Sequence, residues 1–151
     1  MRVIIQRVNE AKVVVDENVV SSINKGYLLL VGFTNNDSLK DINYLVDKIK
    51  FLRLFDDNNG IMNLDINTIN GSILSVSQFT LYADTSKGRR PSYIKALKYE
   101  DAKELYNKFN EVLRANDLNV ETGIFGAEMK VSLINDGPVT IIVDSKDGLY
   151  E

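Results

Sequence analysis

The stretch Tyr27-Leu28-Leu29-Leu30-Val31-Gly32-Phe33, then Thr34-Asn35-Asn36-Asp37, then Ser38-Leu39-Lys40-Asp41-Ile42-Asn43-Tyr44-Leu45-Val46, changes its hydrophobic period halfway along. The first part is an unbroken apolar run of strand length behind Lys25-Gly26. The last part spaces Ile42, Leu45, Val46, Ile49 and Leu52 at helical intervals, and Ser38 with Asp41 makes a capping-box start. A buried strand therefore leads into a helix with one apolar face. Upstream, residues 3–8, 12–16 and 19–23 read as further strands separated by Asn9-Glu10 and by Asp16 to Asn18. Downstream, Asp56-Asp57-Asn58-Asn59-Gly60 is a turn, and Asn70-Gly71 is a hairpin signal leading into a strand over 72–82. A second helix follows over 100–115, with Ala102, Leu105, Tyr106, Phe109, Val112 and Leu113 on its apolar side. Strand period returns at 120–125, 128–135 and 139–144. The expected architecture is a single α+β domain over 1–151, a mostly antiparallel, barrel-like sheet with two helices packed on it.

Composition narrows the chemistry. A chain of 151 residues suits one domain and buries about two-thirds of its unfolded surface. With 44% hydrophobic and 26% charged residues it is ordinary globular material. The chain has no histidine, no cysteine and no tryptophan. That excludes a Ser-His-Asp or Cys-His triad, a disulfide framework and zinc held by thiolate or imidazole. No cofactor and no metal are expected. The Asp56 turn does not have calcium-loop spacing, because Gly60 falls one place early and Asn67 stands where a bidentate glutamate belongs. The apolar runs at the N-terminus and at 27–33 are too short for a signal core or a membrane span, so a cytoplasmic protein without membrane association is expected. Net charge is −3, yet the segment 85–99 carries Lys87, Arg89, Arg90, Lys95 and Lys98 with no acid, giving +5 there and −8 elsewhere. A basic segment of this kind serves as a solvated face or as a phosphate contact.

Two segments look unusual for plain sheet. In Ser75-Val76-Ser77-Gln78-Phe79-Thr80-Leu81-Tyr82, hydroxyls and an amide interrupt an apolar strand end. Alternation on a half-exposed strand would account for it. A functional use is a cradle of backbone and side-chain donors for a carbonyl oxygen that becomes negative during acyl transfer, since a bare hydroxyl without a base is a poor nucleophile. In Asn135-Asp136-Gly137-Pro138-Val139-Thr140, a Gly-Pro pair joins two strand-like runs. It serves either as a simple turn or as a stiff display of two carbonyls.

Taken with the opening Met1-Arg2-Val3-Ile4-Ile5-Gln6-Arg7-Val8, the loop Gly88-Arg89-Arg90-Pro91-Ser92-Tyr93 and the pair Phe125 and Met129, these motifs resemble the D-aminoacyl-tRNA deacylases. The resemblance runs in the family's order over nearly the whole chain and leaves the tail from Ser145 to Glu151 unplaced. It implies a homodimeric hydrolase that cleaves the ester between a D-amino acid and the terminal ribose of tRNA. By the same resemblance Ser77, Gln78, Phe79 and Thr80 form the catalytic segment. A cis Gly137-Pro138 enters that pocket from the other subunit, Arg7 holds the Gly-Pro loop, and Phe125 and Met129 line the wall. Lys87, Arg89 and Arg90 are candidates for tRNA phosphate contact.

The selection logic is steric. A stiff wall of carbonyls accepts the α-amine of one hand, while the side chain of the other would strike it. Many D-amino acids would then be substrates, and glycine, including glycine mischarged on tRNA(Ala), would be rejected only imperfectly. The missing histidine fits a reaction in which the tRNA 2′-hydroxyl helps to activate or position water. Two other readings stay open on the sequence: a noncatalytic, β-rich dimeric binding module, and a small-ester hydrolase with Thr80 as nucleophile.

Overall fold

The computed structural model describes residues 1–150. Strand β1 (Arg2–Val15) is followed by β2 (Asn18–Ile23) and β3 (Gly26–Gly32), then helix α1 (Leu39–Phe51) and the small strands β4 (Phe55–Asp56) and β5 (Met62–Leu64). Strand β6 (Ser72–Ser77) runs into a 3-10 turn (Phe79–Tyr82). Helix α2 (Tyr99–Ala115), β7 (Asn119–Thr122), β8 (Lys130–Asp144) and a last 3-10 turn (Ser145–Asp147) complete the fold.

The main sheet has the order β2-β1-β3-β6-β7, with β8 on the other side of β1. One edge of β1 pairs antiparallel first with β3, from Arg2↔Gly32 to Val8↔Gly26, and then with β2, from Ala11↔Ile23 to Val15↔Asn18. Its other edge pairs with β8, from Arg2↔Asp144 to Val14↔Lys130. At the far end of the path the Ser21 hydroxyl of β2 donates to the Thr122 carbonyl of β7 at 2.8 Å, so the sheet curls into a nearly closed barrel.

The apolar run of β3 is explained by burial on both faces. Tyr27, Leu29 and Val31 join Met1, Val3 and Ile5 against Ile42, Leu45 and Ile49 of α1 and Phe109 and Leu113 of α2. Leu28 faces inward with Val8, Ala11, Val13, Leu74 and Val76. Helix α1 starts on the expected capping box: Ser38 Oγ accepts from the Lys40 amide at 3.3 Å, and Asp41 accepts from the Ser38 amide at 2.9 Å. Burial opposes the Asp41 anion, but hydrogen bonds from Ser145, Ser38 and Tyr150 and the N-terminal ammonium outweigh it and hold the carboxyl below its usual range.

The α+β class, the two helices and the predominance of antiparallel pairing agree with the sequence reading; several details differ. Asn70-Gly71 makes no hairpin. The Gly71 amide returns to Ile66 O at 2.9 Å, and β6 lies parallel to β3, from Gly26↔Ser72 to Val31↔Ser77. The crossover through α1 brings the chain back in the same direction, and β7 is parallel to β6 for the same reason through α2. The strand expected over 72–82 stops at Ser77 and becomes a turn. Asn9-Glu10 does not break β1 but forms an irregularity in its pairing with β8, and β8 itself continues through the Gly-Pro segment that separated two expected strands. The carboxylate of Asp57 organises its own turn, accepting from the Asn59 and Ile61 amides at 2.8 and 3.1 Å. The tail packs back on the body, with the Ser145 amide on Met1 O at 2.9 Å and the Tyr150 hydroxyl on Asp41 at 3.1 Å. Among the described residues no helix is long and apolar enough to cross a membrane.

The β3–β6 contact is tight at its first pair. A Cβ added at Gly26 would lie 1.8 Å from the Ser72 carbonyl oxygen. Gly26→Ala should therefore force the strands apart and lower stability by about 3 kcal/mol. Urea unfolding checks this, and an unchanged midpoint would contradict the packing.

Candidate active site

Beyond Ser77 the ladder ends with the Gln78 amide on Val31 O at 2.7 Å, and the chain tightens into the 3-10 turn. The turn comes so close to β3 that a Cβ at Gly32 would stand 3.0 Å from Gln78 O. Gln78 precedes the turn without capping its backbone; its side-chain Nε2 instead donates to the Thr80 hydroxyl. The first amides of such a turn have no acceptor within it, so the Phe79 and Thr80 N–H groups stand at an end suited to receive an oxygen. The far side of the turn is pinned by Arg2, whose guanidinium donates to Leu81 O at 2.8 Å and to Asp144 at 2.9 Å while lying 4.8 Å over the Tyr82 ring.

A cleft of about 640 Å³ opens beside this turn, with Ser77, Gln78, Phe79, Tyr93, Phe125 and Met129 among its walls. Phe79 is 56% exposed and meets Tyr93 edge to face at 5.1 Å. Phe125 stands at 5.1 Å from Tyr99 and 5.5 Å from Tyr106. The Tyr106 hydroxyl reaches beneath the site and donates to Ser75 O at 2.6 Å, and burial pushes its pKa up. The described residues lining the cleft include no carboxylate, and Lys98 is the one formal charge among them. Apart from Lys98, such a site offers hydroxyls, amides and shape.

Of the residues singled out in the sequence, Ser77, Gln78, Phe79, Phe125 and Met129 share this cleft, and Thr80 sits exposed on the same turn. Arg7, Gly137 and Pro138 form a second group outside it. Four residues of β8, 136–139, lie between the partners of Gln6 and Val8, opposite Arg7 alone, so this segment bows out of the ladder. Its neck is closed by Asn135, whose Oδ1 accepts from the Val139 amide at 2.7 Å while its Nδ2 donates to the Thr140 hydroxyl at 3.0 Å. The buried Arg7 donates to Asp136 O at 2.8 Å and to Leu54 O at 2.7 Å. The Gly137-Pro138 bond is cis, and both residues are exposed.

Lys87, Arg89 and Arg90 are exposed on a loop closed by paired bonds between Asp84 and Ser92, at 2.8 and 2.9 Å. The Asp84 carboxyl, bonded by Ser86 and bridged to Lys95 at 3.4 Å, is held down to about 2. The sequence reading gave no role to Arg2, nor to Gly126. Gly126 has φ +78, and a Cβ there would strike the Tyr99 ring at 2.6 Å. The glycine pattern of the chain could have flagged it; the link between Arg2 and Leu81 spans 79 residues and leaves no local signal.

A cleft without carboxylate or imidazole, with Lys98 as its one formal charge, thus lies beside the amides of the 3-10 turn on an α+β barrel. The profile of the D-Tyr-tRNA(Tyr) deacylases matches residues 4–144. A D-aminoacyl-tRNA deacylase of an Exiguobacterium species is 59% identical over 144 residues, covering 95% of this chain and 98% of that protein. One from Flavobacterium psychrophilum is 57% identical over 148 residues, covering 97% and 99%. A solved structure titled c-Myc DNA unwinding element binding protein superposes with a TM-score of 0.90 at 38% identity, covering 96% of this chain and 99% of that one. The chain belongs to the D-Tyr-tRNA(Tyr) deacylase family.

The neck of the basic loop makes a separate prediction. Because the folded Asp84 carboxyl titrates near 2, below its ordinary 3.8, its anion supports the loop fully above about pH 4 and that support is lost as pH falls through about 2. Asp84→Asn should loosen the loop at neutral pH and speed trypsin cleavage after Arg89 several-fold. An unaltered cleavage rate would show that the carboxylate does not hold the neck.

Proposed function

We propose that this protein hydrolyses the ester of D-aminoacyl-tRNA, releasing free D-amino acid and tRNA. The observation that carries the reading is the cleft itself: the Phe79–Thr80 amides stand at its edge, and its described lining holds no carboxylate and no imidazole. Water adds to the ester carbonyl and the ribose oxygen leaves. The oxygen that becomes negative in between is stabilised by the turn amides, each donor contributing about 3 kcal/mol in comparable sites. The tRNA 2′-hydroxyl, adjacent to the ester, helps to activate or orient the water. Thr80 positions. Its oxygen already accepts a hydrogen bond from Gln78 Nε2, which is a donor and not a base, and this disfavours a threonine nucleophile.

Chiral selection is assigned to Gly137 and Pro138 of a second copy in a homodimer. The support is geometric: the bowed segment is stiffened by Asn135 and Arg7, points its two residues to the outside, and does not line the cleft of its own chain. Inserted into the neighbouring cleft, fixed carbonyls would receive the α-amine of a D-aminoacyl group and collide with an L side chain. Phe125 and Met129 form the wall, glycyl-tRNA is a leaky substrate, and the protein works in the cytoplasm.

The test is side-by-side deacylation of D- and L-tyrosyl-tRNA. The D ester should be cleaved far faster, Thr80→Ala should lower turnover modestly, and a 2′-deoxy terminal adenosine should slow the reaction sharply. No cleavage of either ester would point to a binding module. An acyl adduct trapped on Thr80, or equal turnover of D-amino acid esters lacking RNA, would point to covalent small-ester hydrolysis.

Lys87, Arg89 and Arg90 are assigned to phosphate contact near the acceptor end, where a local positive field steers RNA despite the acidic average. Replacing Arg89 and Arg90 by Glu should raise KM for tRNA and flatten its salt dependence. Identical kinetics across a salt series would mark the loop as solvated surface.

A further inference from the structure

One corner of the molecule is not explained by local turn chemistry. The Ala96 amide donates to Tyr93 O at 3.0 Å, which puts Ile94 and Lys95 at the two central positions of a turn. Glycine, proline, asparagine, aspartate and serine usually stand there. Ile94 is nevertheless 86% exposed, and Tyr93 beside it is 42% exposed. The corner is rigidly presented, because the Thr34 hydroxyl donates to Lys95 O and the Leu97 amide donates to Phe33 O at 3.0 Å. It is also continuous with the cleft, since Tyr93 packs on Phe79 and both form its wall.

Cations predominate around it. Lys87, Arg89 and Arg90 occupy the adjoining loop and Lys98 the cleft rim; of the neighbouring acids, Asp84 is bridged to Lys95 at 3.4 Å, and Glu100 and Asp101 stand in the first turn of α2. An exposed aromatic and aliphatic surface set among cations fits single-stranded nucleic acid, whose bases stack on such surfaces while their phosphates meet the basic groups.

Resting on the reading above, we infer that Tyr93 and Ile94 form a stacking platform for the unpaired nucleotide just upstream of the terminal adenosine of the RNA substrate. Its phosphate lies toward Lys98 and the basic loop. The terminal nucleotide and ester occupy the cleft, and the preceding base leaves it over the Tyr93–Ile94 corner.

The experiment compares kcat/KM for D-tyrosyl-tRNA with kcat/KM for D-tyrosyl-adenosine, which has no upstream nucleotide, in wild type, Ile94→Ala and Ile94→Phe. For Ile94→Ala the ratio of tRNA to adenosine ester should fall about fivefold, and Ile94→Phe should restore it. An unaltered ratio, or an equal loss on both substrates, overturns the platform. So does a change in sedimenting mass with Ile94→Asp, which would make the corner a contact between copies of this chain. Wild-type protein inactive on both esters would remove the functional reading along with this inference, whereas normal D-specific activity with an unaltered ratio removes the inference alone.

Discussion

The structure depends on β1 being hydrogen-bonded along both of its edges. Its first half holds β3 on one side, its second half holds β2 on the same side, and β8 runs along the other. A strand in that position cannot shift register by one residue without turning Val3, Ile5 and Val8 out of two cores at once. Both parts of the candidate site are referred to this one ruler. Arg2, at its start, holds Leu81 O of the turn, and Arg7, five residues on, holds Asp136 O of the Gly-Pro segment.

The two arginines do different physical work. Arg7 is buried, and its guanidinium satisfies two main-chain carbonyls that would otherwise be desolvated without a donor. Arg2 is partly open to solvent and gains from the Asp144 carboxylate and the Tyr82 ring face as well as from the carbonyl. Each replaces local secondary structure as the constraint on an irregular segment. In a cleft without histidine or carboxylate such constraint matters more than proton affinity, because amides act as an oxyanion cradle only if they are held before the charge arrives.

The same economy bears on how the protein meets its substrate. A −3 chain gathers +5 over 85–99, closes the part that carries Lys87, Arg89 and Arg90 at Asp84 and Ser92, and places an exposed tyrosine and isoleucine directly after that closure. In the proposed reading the cations provide reach and the apolar corner grip, while the cleft lining carries one formal charge, Lys98.

Much was legible from residue order alone. The switch of hydrophobic period after Phe33, the Ser38–Asp41 cap and the apolar face of α2 are local properties, set by side-chain spacing over a few turns, and they determined the element types and the fold class. The absence of histidine and cysteine likewise bounded the chemistry without any coordinates. What tertiary structure alone decided is non-local: that Asn70-Gly71 feeds a parallel strand instead of a hairpin, that β8 passes through Gly137-Pro138 unbroken, that Arg2 reaches Leu81, and that Tyr99 packs on the bare backbone of Gly126. Each of these depends on hydrogen bonds or packing between segments tens of residues apart, whose energies are shared by partners that no window of sequence contains.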